Sequence, residues 1–480
     1  MDKTQQIKET IDDRIEKDLI GEMKVPKDAY YGIQTMRALT NFPITGDLMD
    51  TDFINAMAIV KKAAARANME TGHLDEKLAK TIMDVADEIL AGKWHQEFPI
   101  DPVQGGAGTS ANMNMNEVIA NRGLELLGEE KGNYGILSPN VHVNMAQSTN
   151  DGVPTAANLA ILTKLMKFVP AMEELHVQFM KKADEFDGFV KMGRTHIQDA
   201  VPIRLGQEFK AFALMLGRDI LRVKRAMLAF YSVNMGATAV GTGLNADVAY
   251  IEACVKHLAE YSGFPIVSAE DLVDATANTD TFLELSSALK NCAMNMNKVC
   301  RDLRLMTSGP RCGLGEIKLP ERQPGSSIMP GKVNPVMAEV MVQIGYVVAG
   351  NDLTISMACE GGDFQINVMK PVILYKILDS LKVMTNGFGV FSELCISGIE
   401  ANIEQMAHHV STSAGAITAL NPHIGYQAST ELVQEVISSG RSIKEVVLEK
   451  GLLTEEELNI IFNPYEMTNP GIAGKELLKK

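Results

Sequence analysis

One glycine- and proline-rich segment, residues 313–335, carries several side chains that can bind a substrate or move a proton. Over residues 325–335 it reads Gly-Ser-Ser-Ile-Met-Pro-Gly-Lys-Val-Asn-Pro, between long apolar-periodic segments. Hydroxyls, a lysine and a carboxamide on a glycine-hinged chain are typical of an active-site lid. The Asn-Pro pair also predicts a helix start, where an anion is favoured. Taken alone, the segment is better explained as a surface loop with turn chemistry. The candidate side chains are Ser326, Ser327, Lys332 and Asn334.

Three other polar stretches share this chemistry, at residues 108–116, 147–151 and 193–199. Hydroxyls, carboxamides and helix-end N–H groups bind carboxylates without adding net charge. Any one stretch alone is better explained by an N-cap or a turn, and a lone His196 by a hydrogen-bonded core histidine. Taken together, they favour a polar binding site. The candidate side chains are Thr109, Ser148, Thr149, Asn150, Thr195 and His196.

Composition excludes several classes of protein. The chain has 480 residues, is 46% hydrophobic and carries a formal net charge of −15. This charge argues against a nucleic-acid partner, because phosphate binding needs basic patches. No apolar run is long enough to span a membrane, and residues 1–6 are too polar for the start of a signal peptide. An acidic protein that binds an acidic substrate must therefore concentrate positive potential locally.

The cysteines and histidines indicate no metal site. The six cysteines form no C-x-x-C pair and lie mostly in apolar stretches, which predicts small core residues in a reducing compartment, hence the cytoplasm. No H-E-x-x-H and no phosphate-binding G-x-x-x-x-G-K-[ST] motif occurs. Glycine-rich residues 105–108 lie in helical periodicity and make a weak dinucleotide motif. We expect no cofactor and no metal.

Long helices dominate the predicted secondary structure. Apolar residues at 285, 289, 292, 296, 299, 303 and 306 form an a/d repeat, and a stop signal follows at 308–310. Segments 155–185, 205–231, 335–358 and 366–396 also have helical periodicity, although Pro170 should kink or restart the first. Helices of this length favour a bundle and subunit association. Shorter helices follow, with capping boxes at 442–445 and 454–457.

The sequences of these stretches and their order along the chain resemble those of the fumarase/aspartase superfamily. Residues 325–335 match its signature loop, and the similarity extends from residues 14–18 and 28–35 to the C-terminal capping boxes. Within the superfamily the chain is most similar to the aspartate ammonia-lyases. The sequences of residues 147–151 and 199–202 are typical of that family. Residues 138–144 lack the histidine and acids of the fumarase accessory site at the corresponding positions. His196 does not discriminate, and Ala338 and Lys370 depart from the usual pattern.

The resemblance implies a mainly helical fold of three domains, at residues 1–146, 147–402 and 403–480. The central domain, which includes the signature loop 313–335, would contribute five long helices to the twenty-helix core of a homotetramer. Active sites would be assembled from three subunits. The resemblance also implies reversible deamination of L-aspartate to fumarate and ammonia without an organic cofactor.

Residue roles carried over from the family give each candidate a function. Ser326 would remove the C3 proton. The β-carboxylate and its aci form, the carboxylate with a second negative charge, would be held by Ser327, Thr109, Ser148 and Thr149. The α-carboxylate would be held by Thr195, Lys332 and Asn334. Asn150 and His196 would contact the departing amino group, and Glu339 would orient His196. Class II fumarase and a non-catalytic helical scaffold of the same fold remain the alternatives.

Overall fold

A computed structural model describes residues 13–478. The polar stretch at residues 1–6, used above to argue against a signal peptide, lies outside the described residues. The described chain forms two compact units, one of residues 13–169, 221–291 and 347–383, the other of residues 170–220, 292–346 and 384–478. The division into three domains stays a prediction. No helix between residues 13 and 478 is long and apolar enough to cross a membrane.

The first elements are two antiparallel strands followed by four helices. The strands pair from Asp13 opposite Pro26 to Lys17 opposite Glu22. The helix of residues 109–126 begins within the polar stretch 108–116. The carboxyl group of its buried Glu117 accepts hydrogen bonds from the backbone N–H groups of Gly32, Gln34 and Thr35 and so joins this helix to the start of the first helix. The elements are β1 Asp13–Lys17, β2 Glu22–Pro26, α1 Ile33–Asn41, α2 Thr51–Glu70, α3 Glu76–Leu90 and α4 Thr109–Leu126.

The five long helices predicted from periodicity are present, with lengths of 23 to 37 residues. They span residues 149–185, 205–227, 280–306, 336–360 and 370–394. The elements are α5 Thr149–Glu185, β3 Val190–Thr195, β4 Gln198–Arg204, α6 Leu205–Met227, β5 Ser232–Val233, α7 Val248–Ser262, β6 Val267–Ser268, α8 Leu272–Ala277, α9 Asp280–Met306, β7 Ile317–Lys318, α10 Val336–Glu360 and α11 Lys370–Leu394.

The apolar repeat of α9 is a buried stripe, as predicted. Every side chain of the repeat from Leu285 to Met306 is at most 5% exposed. Helix α5 differs from the prediction, because it begins six residues earlier than residue 155 and does not restart at Pro170. A proline removes only one backbone hydrogen bond of a helix, and in a helix of 37 residues the packing of the other turns maintains the helical path.

The chain ends in short helices with an apolar core of their own. Leu432, Val446, Leu458 and Ile461 are among the buried residues of this core. Both predicted capping boxes are formed, one by Ser442 with Glu445 and one by Thr454 with Glu457. The elements are β8 Glu400–Ala401, α12 Ile403–Thr412, α13 Asn421–Ile424, α14 Tyr426–Ser439, α15 Ile443–Glu449, α16 Glu455–Ile461 and α17 Pro464–Thr468.

The six cysteines are free thiols, and most are buried as predicted. The buried thiols are those of Cys254, Cys292, Cys300 and Cys395, which lie within helices or directly after one. Cys359 is half-buried. Cys312 is exposed, which corrects the prediction of a core residue. It follows the end of α9 in irregular chain, where no helix face turns its side chain inward.

A buried carboxylate, Glu316, joins three parts of the second unit. Its side chain is inaccessible to solvent. It accepts one hydrogen bond from Arg194 at 2.8 Å and one from Nδ1 of His409 at 3.1 Å. Lys191 Nζ lies 3.0 Å from Glu316 and 3.0 Å from Glu208. Burial works to raise the pKa of Glu316, but Lys191 and Arg194 outweigh it and hold the pKa below its ordinary value. Glu316 therefore fixes strand β3 to the segment 313–335 and to helix α12.

Glutamine at position 316 should destabilise the protein, because Lys191 and Arg194 stay buried after the negative charge is gone. We expect Glu316→Gln to lower the free energy of unfolding by roughly 3 kcal/mol at neutral pH, measured by urea denaturation. The folded-state pKa of Glu316 is lowered, so its contribution is complete above the ordinary value of 4.5 and is lost as pH falls through the folded-state pKa. The difference between wild type and variant should therefore shrink in acid.

Glu321 offers a matched control, since it is an exposed glutamate in the same segment. Glu321→Gln should unfold at the wild-type urea concentration. Equal stability of the Glu316 and Glu321 variants at neutral pH would contradict a structural role for the buried carboxylate.

Candidate active site

The predicted site residues fall into two groups, one in each compact unit. The first group lies at or next to the N-termini of α4 and α5. The second group lies on the β3–β4 hairpin, in the segment 313–335 and in the first turn of α10. The first group is Thr109, Ser148, Thr149 and Asn150. The second group is Thr195, His196, Ser326, Ser327, Lys332, Asn334 and Glu339.

The signature loop is closed on itself at its base. Pro324 and Val333 form an antiparallel bridge, and the Gly325 N–H donates to the Lys332 carbonyl at 2.7 Å. A Cβ on Gly325 would lie 2.7 Å from that carbonyl oxygen, so only glycine permits this closure. Beyond the base the tip is exposed, and Ile328 is 84% accessible to solvent. The loop is thus pinned at its base and unpacked at its tip, as a lid requires.

The hydroxyl of Ser326 is surrounded by backbone donors. Its Oγ accepts the N–H of Ile328 at 3.2 Å and the N–H of Met329 at 3.1 Å. Donors aimed at an oxygen stabilise it when it carries negative charge, and so favour loss of its proton. Ser326 is half-buried, whereas Ser327 is exposed on the same loop. The geometry gives the two adjacent hydroxyls different environments.

The start of helix α10 differs from the prediction. Asn334 lies two residues before the first helical residue, and its side-chain amide nitrogen donates to the Gly325 carbonyl at 3.0 Å. Pro335 precedes the first helical residue, Val336, and its carbonyl accepts the N–H of Glu339. The amide nitrogen of Asn334 thus closes the base of the loop. Among the described residues, Glu339 makes no hydrogen bond to His196, so the orienting role of Glu339 stays a prediction.

Positive charge collects beside the signature loop. An open cavity of about 880 Å³ lies between the end of α9 and residues 330–335. Arg301, Arg304 and Lys332 line it, with Glu339 as the acidic side chain of the lining. In a chain of net charge −15, this local excess of cations is what an anionic ligand needs.

His196 lies at the exposed tip of the β3–β4 hairpin, which rules out the alternative of a core histidine within this chain. Thr195 pairs with Gln198, so His196 and Ile197 are the two central residues of the turn. Both have positive φ, 55° and 61°. Such turns favour asparagine and glycine, and a β-branched residue there is strained. The strained turn projects His196 away from the hairpin, where a substrate or a second chain can reach it.

Thr109 follows three consecutive residues in the left-handed region. Gly106, Ala107 and Gly108 have φ of 88°, 57° and 94°. A Cβ on Gly108 would lie 2.9 Å from the Val153 side chain, which explains glycine at the point where the chain turns into α4. The Thr109 hydroxyl donates to the Gly106 carbonyl at 2.8 Å. It must rotate away from this carbonyl before it can donate to a carboxylate.

The stretch Ser148–Asp151 is organised by a buried aspartate. Asp151 accepts the N–H of Ser148 and the N–H of Thr238, each at 2.9 Å. Burial raises the pKa of Asp151 to about 7, although these hydrogen bonds work to lower it. Asn150 donates its amide N–H to the Ala239 carbonyl at 2.7 Å, which directs its amide oxygen away from that carbonyl. This oxygen can accept a hydrogen bond from an ammonium group.

Sequence reasoning missed one charged residue beneath this stretch, Lys61. Its ammonium is fully buried and bonds to the side chains of Asn112, Asn144 and Gln147. The sequence held a signal, because Lys61 occupies an apolar register with Ile54, Ala58 and Ala65 on α2. A lysine at a core position of an amphipathic helix needs a specific partner.

Comparisons with known proteins agree with the resemblance. The chain matches the family model described as Lyase over residues 21–350 and that described as Fumarase C C-terminus over residues 417–469. Aspartate ammonia-lyase of Bacillus subtilis is 59% identical over 467 residues, covering 97% of this chain and 98% of that protein. Aspartate ammonia-lyase of Escherichia coli K12 is 48% identical over 465 residues, covering 96% and 97%.

A solved structure shows the same fold. Fumarate lyase:delta crystallin from Brucella melitensis bound to cobalt has a TM-score of 0.93 and 44% identity, over 96% of this chain and 100% of that one. The mainly helical fumarase/aspartase fold expected from the sequence is therefore confirmed. By sequence and fold, the chain belongs to the aspartate ammonia-lyase family of the fumarase/aspartase superfamily.

Proposed function

We propose that this protein is a lyase that reversibly deaminates L-aspartate to fumarate and ammonia. The two N–H groups that converge on Ser326 Oγ are the structural observation that carries the proposal. The family relatives are named for the same reaction. The C3 proton leaves first, and its electron pair is held by the β-carboxylate as an aci form. This pair then forms the C2=C3 bond as the C2–N bond breaks and ammonia leaves with the bonding electrons.

Ser326 is the proposed base, acting as an oxyanion. An ordinary serine hydroxyl is too weakly acidic to supply an oxyanion at neutral pH. The N–H groups of Ile328 and Met329 already point at Oγ, and loop closure over the substrate would exclude water and strengthen both bonds. The proton taken from C3 then resides on Ser326 until the loop opens.

The remaining candidates divide according to the three charged groups of aspartate. Hydroxyls serve the β-carboxylate, because they donate hydrogen bonds that strengthen as the aci form gains charge. Lys332 supplies a cation to the α-carboxylate, and Asn334 keeps a second amide N–H beside the one that closes the loop base. The proposed β-carboxylate set is Thr109, Ser148, Thr149 and Ser327. The α-carboxylate set is Thr195, Lys332 and Asn334, and Asn150 and His196 contact the amino group, with Glu339 orienting His196.

We also propose a homotetramer with active sites shared between subunits, located in the cytoplasm. Large apolar side chains are exposed on the long helices, which favours burial against other copies of the chain. The elimination transfers no electrons to a carrier, so no redox cofactor is needed. The exposed apolar side chains include Met166, Leu214, Leu221, Leu353 and Met357, each more than half accessible.

A direct assay separates deamination from hydration. We expect the purified protein to form fumarate from L-aspartate, measured by its ultraviolet absorbance, and to release ammonia in equal amount. L-Malate serves as the control substrate and should give far less fumarate. Faster turnover of malate would identify a fumarase, and inactivity on both substrates would favour a scaffold.

Ser326→Ala should remove nearly all turnover while leaving ligand binding intact. Loss of a positioned base typically costs about 10²–10⁴-fold in rate, so kcat should fall by that factor. Affinity for succinate, a dicarboxylate that cannot react, should stay near the wild-type value in calorimetry. Ser327→Ala is the matched control and should retain more activity. A Ser326→Ala enzyme with wild-type kcat would exclude serine as the base.

Shared active sites can be tested by mixing two inactive variants. Light scattering should give a mass four times the 52.3 kDa of one chain. Ser326→Ala chains and Thr149→Val chains, refolded together, should regain activity, because some mixed sites then carry both native residues. Each variant refolded alone controls for background. If the mixture stays as inactive as its components, the two residues act within one subunit.

A further inference from the structure

We propose that Lys61 is a positioning residue, which acts through Asn112 to direct the Thr149 hydroxyl at the β-carboxylate of the substrate. The inference rests on the proposed deamination and adds to it a charge that does not touch the substrate. Lys61, Asn112 and Thr149 lie in the same compact unit, on α2, α4 and α5. Their chain of hydrogen bonds leads from a buried ammonium to a hydroxyl of the candidate site.

The surroundings of Lys61 are amides rather than acids. Its Nζ donates to Asn112 Oδ1 at 2.7 Å, to Gln147 Oε1 at 2.8 Å and to Asn144 Oδ1 at 3.1 Å. Within residues 13–478 no carboxylate forms an ion pair with it. A buried ammonium paired only with neutral dipoles leaves a positive potential that nothing at hydrogen-bond distance cancels. An anion bound nearby is stabilised by that potential.

Lys61 also fixes which way Asn112 faces. An ammonium has donors only, so the Asn112 atom that faces it at 2.7 Å must be the amide oxygen. The amide nitrogen then points to the other side, where it donates to Asn144 Oδ1 at 3.1 Å and to Thr149 Oγ1 at 3.4 Å. The amide of Gln147 is oriented in the same way, with its oxygen toward Lys61, because its nitrogen donates to the carbonyls of Val143 and Met145.

The Asn112 contact decides what the Thr149 hydroxyl can do. Once Oγ1 accepts from Asn112, its own proton must point elsewhere, and among the described residues no acceptor takes that proton. Thr149 is also the first residue of α5, where the N-terminal N–H groups of a 37-residue helix favour an anion. The hydroxyl is therefore set as a donor toward a carboxylate at this helix end.

The electrostatics of the surroundings support a ligand of negative charge. Burial lowers the pKa of Lys61 to about 7, and the nearby Asp151 and Cys254 oppose this effect. Burial likewise raises the pKa of Asp151 to about 7. Burial thus disfavours the charged form of both groups. A bound β-carboxylate favours the charged form of Lys61, and the aci form favours it further, because it carries a second negative charge.

Two variants test the inference. Lys61→Met removes the charge and keeps the apolar stem, whereas Asn112→Asp removes the N–H that reaches Thr149 and places a carboxylate against Lys61, which offsets its positive potential. A hydrogen bond to a charged group contributes about 1.5–3 kcal/mol, so we expect succinate to bind roughly ten- to a hundredfold more weakly in Lys61→Met. Asn112→Asp should weaken succinate binding as well while leaving the unfolding temperature at or above that of wild type.

Two readouts separate positioning from a purely structural role. L-Alanine lacks the β-carboxylate, so its competitive inhibition constant should not change in either variant. The value of kcat should fall in addition to succinate affinity, because the aci form depends more on Lys61 than the bound substrate does. Lys62→Met is the matched control, since Lys62 is the next residue on α2 and pairs with Asp87 at 2.6 Å. It should bind succinate as the wild type does.

Each outcome decides between the hypotheses. Wild-type succinate affinity in a folded Lys61→Met or in Asn112→Asp would overturn the inference, as would an equal loss of L-alanine inhibition. If Lys61→Met does not fold, Asn112→Asp decides alone, because it retains a partner for the lysine. If the unaltered enzyme deaminates aspartate but the variants keep their affinity, only the role of Lys61 fails. If the unaltered enzyme neither deaminates aspartate nor binds succinate, the proposed function fails and the inference falls with it.

Discussion

The hydrogen bonds that converge on Ser326 Oγ are the interaction on which the proposed chemistry depends. A serine can act as a base only where its oxyanion is stabilised before the substrate arrives. Here the two donors are backbone N–H groups, which add no charge to the lid. The tight base of the loop, with Gly325 donating to Lys332 and Asn334 donating to Gly325, holds the backbone in the shape that aims these donors.

Each compact unit keeps a buried ion beneath its candidate residues, and the two ions are compensated in different ways. Glu316 is surrounded by Lys191, Arg194 and His409, so its charge is largely neutralised within the fold. Lys61 has only amide oxygens at hydrogen-bond distance. A neutralised ion stabilises the scaffold, whereas an ion with no carboxylate at hydrogen-bond distance can contribute to binding of an anion. This contrast separates a structural carboxylate from a lysine with a proposed role in function.

Several residues with strained backbone lie beside candidate residues or beside the groups that hold them. Non-glycine residues with positive φ include Ala107 before Thr109, Thr238 against Asp151, and His196 with Ile197 at the hairpin tip. Such conformations cost free energy and persist only where surrounding contacts enforce them. The hairpin is held by the Arg194–Glu316 pair, and Thr238 by its N–H bond to Asp151. Two of these strained turns, the hairpin tip and the turn at Thr238, are thus held by contacts with buried carboxyl groups.

Local sequence signals determined much of this structure. The apolar repeat of α9 and both capping boxes depend on residues a few positions apart, so periodicity and capping chemistry predict them. The signature loop identified the family, and the resemblance then assigned a role to the candidate serine. The hydrogen bond from Asn334 to Gly325 escaped prediction, because it joins the two ends of the loop and forms only when the loop folds.

Tertiary structure alone decided the role of buried charge. Lys61 meets Asn112, Asn144 and Gln147, which follow it in the chain by 51, 83 and 86 residues. Glu316 meets Arg194 across 122 residues and His409 across 93. No local pattern specifies such partners, because the free energy of a buried ion depends on every group that packs around it. Only the packed fold showed that one buried lysine is surrounded by amides and that its nearest amide reaches a candidate hydroxyl.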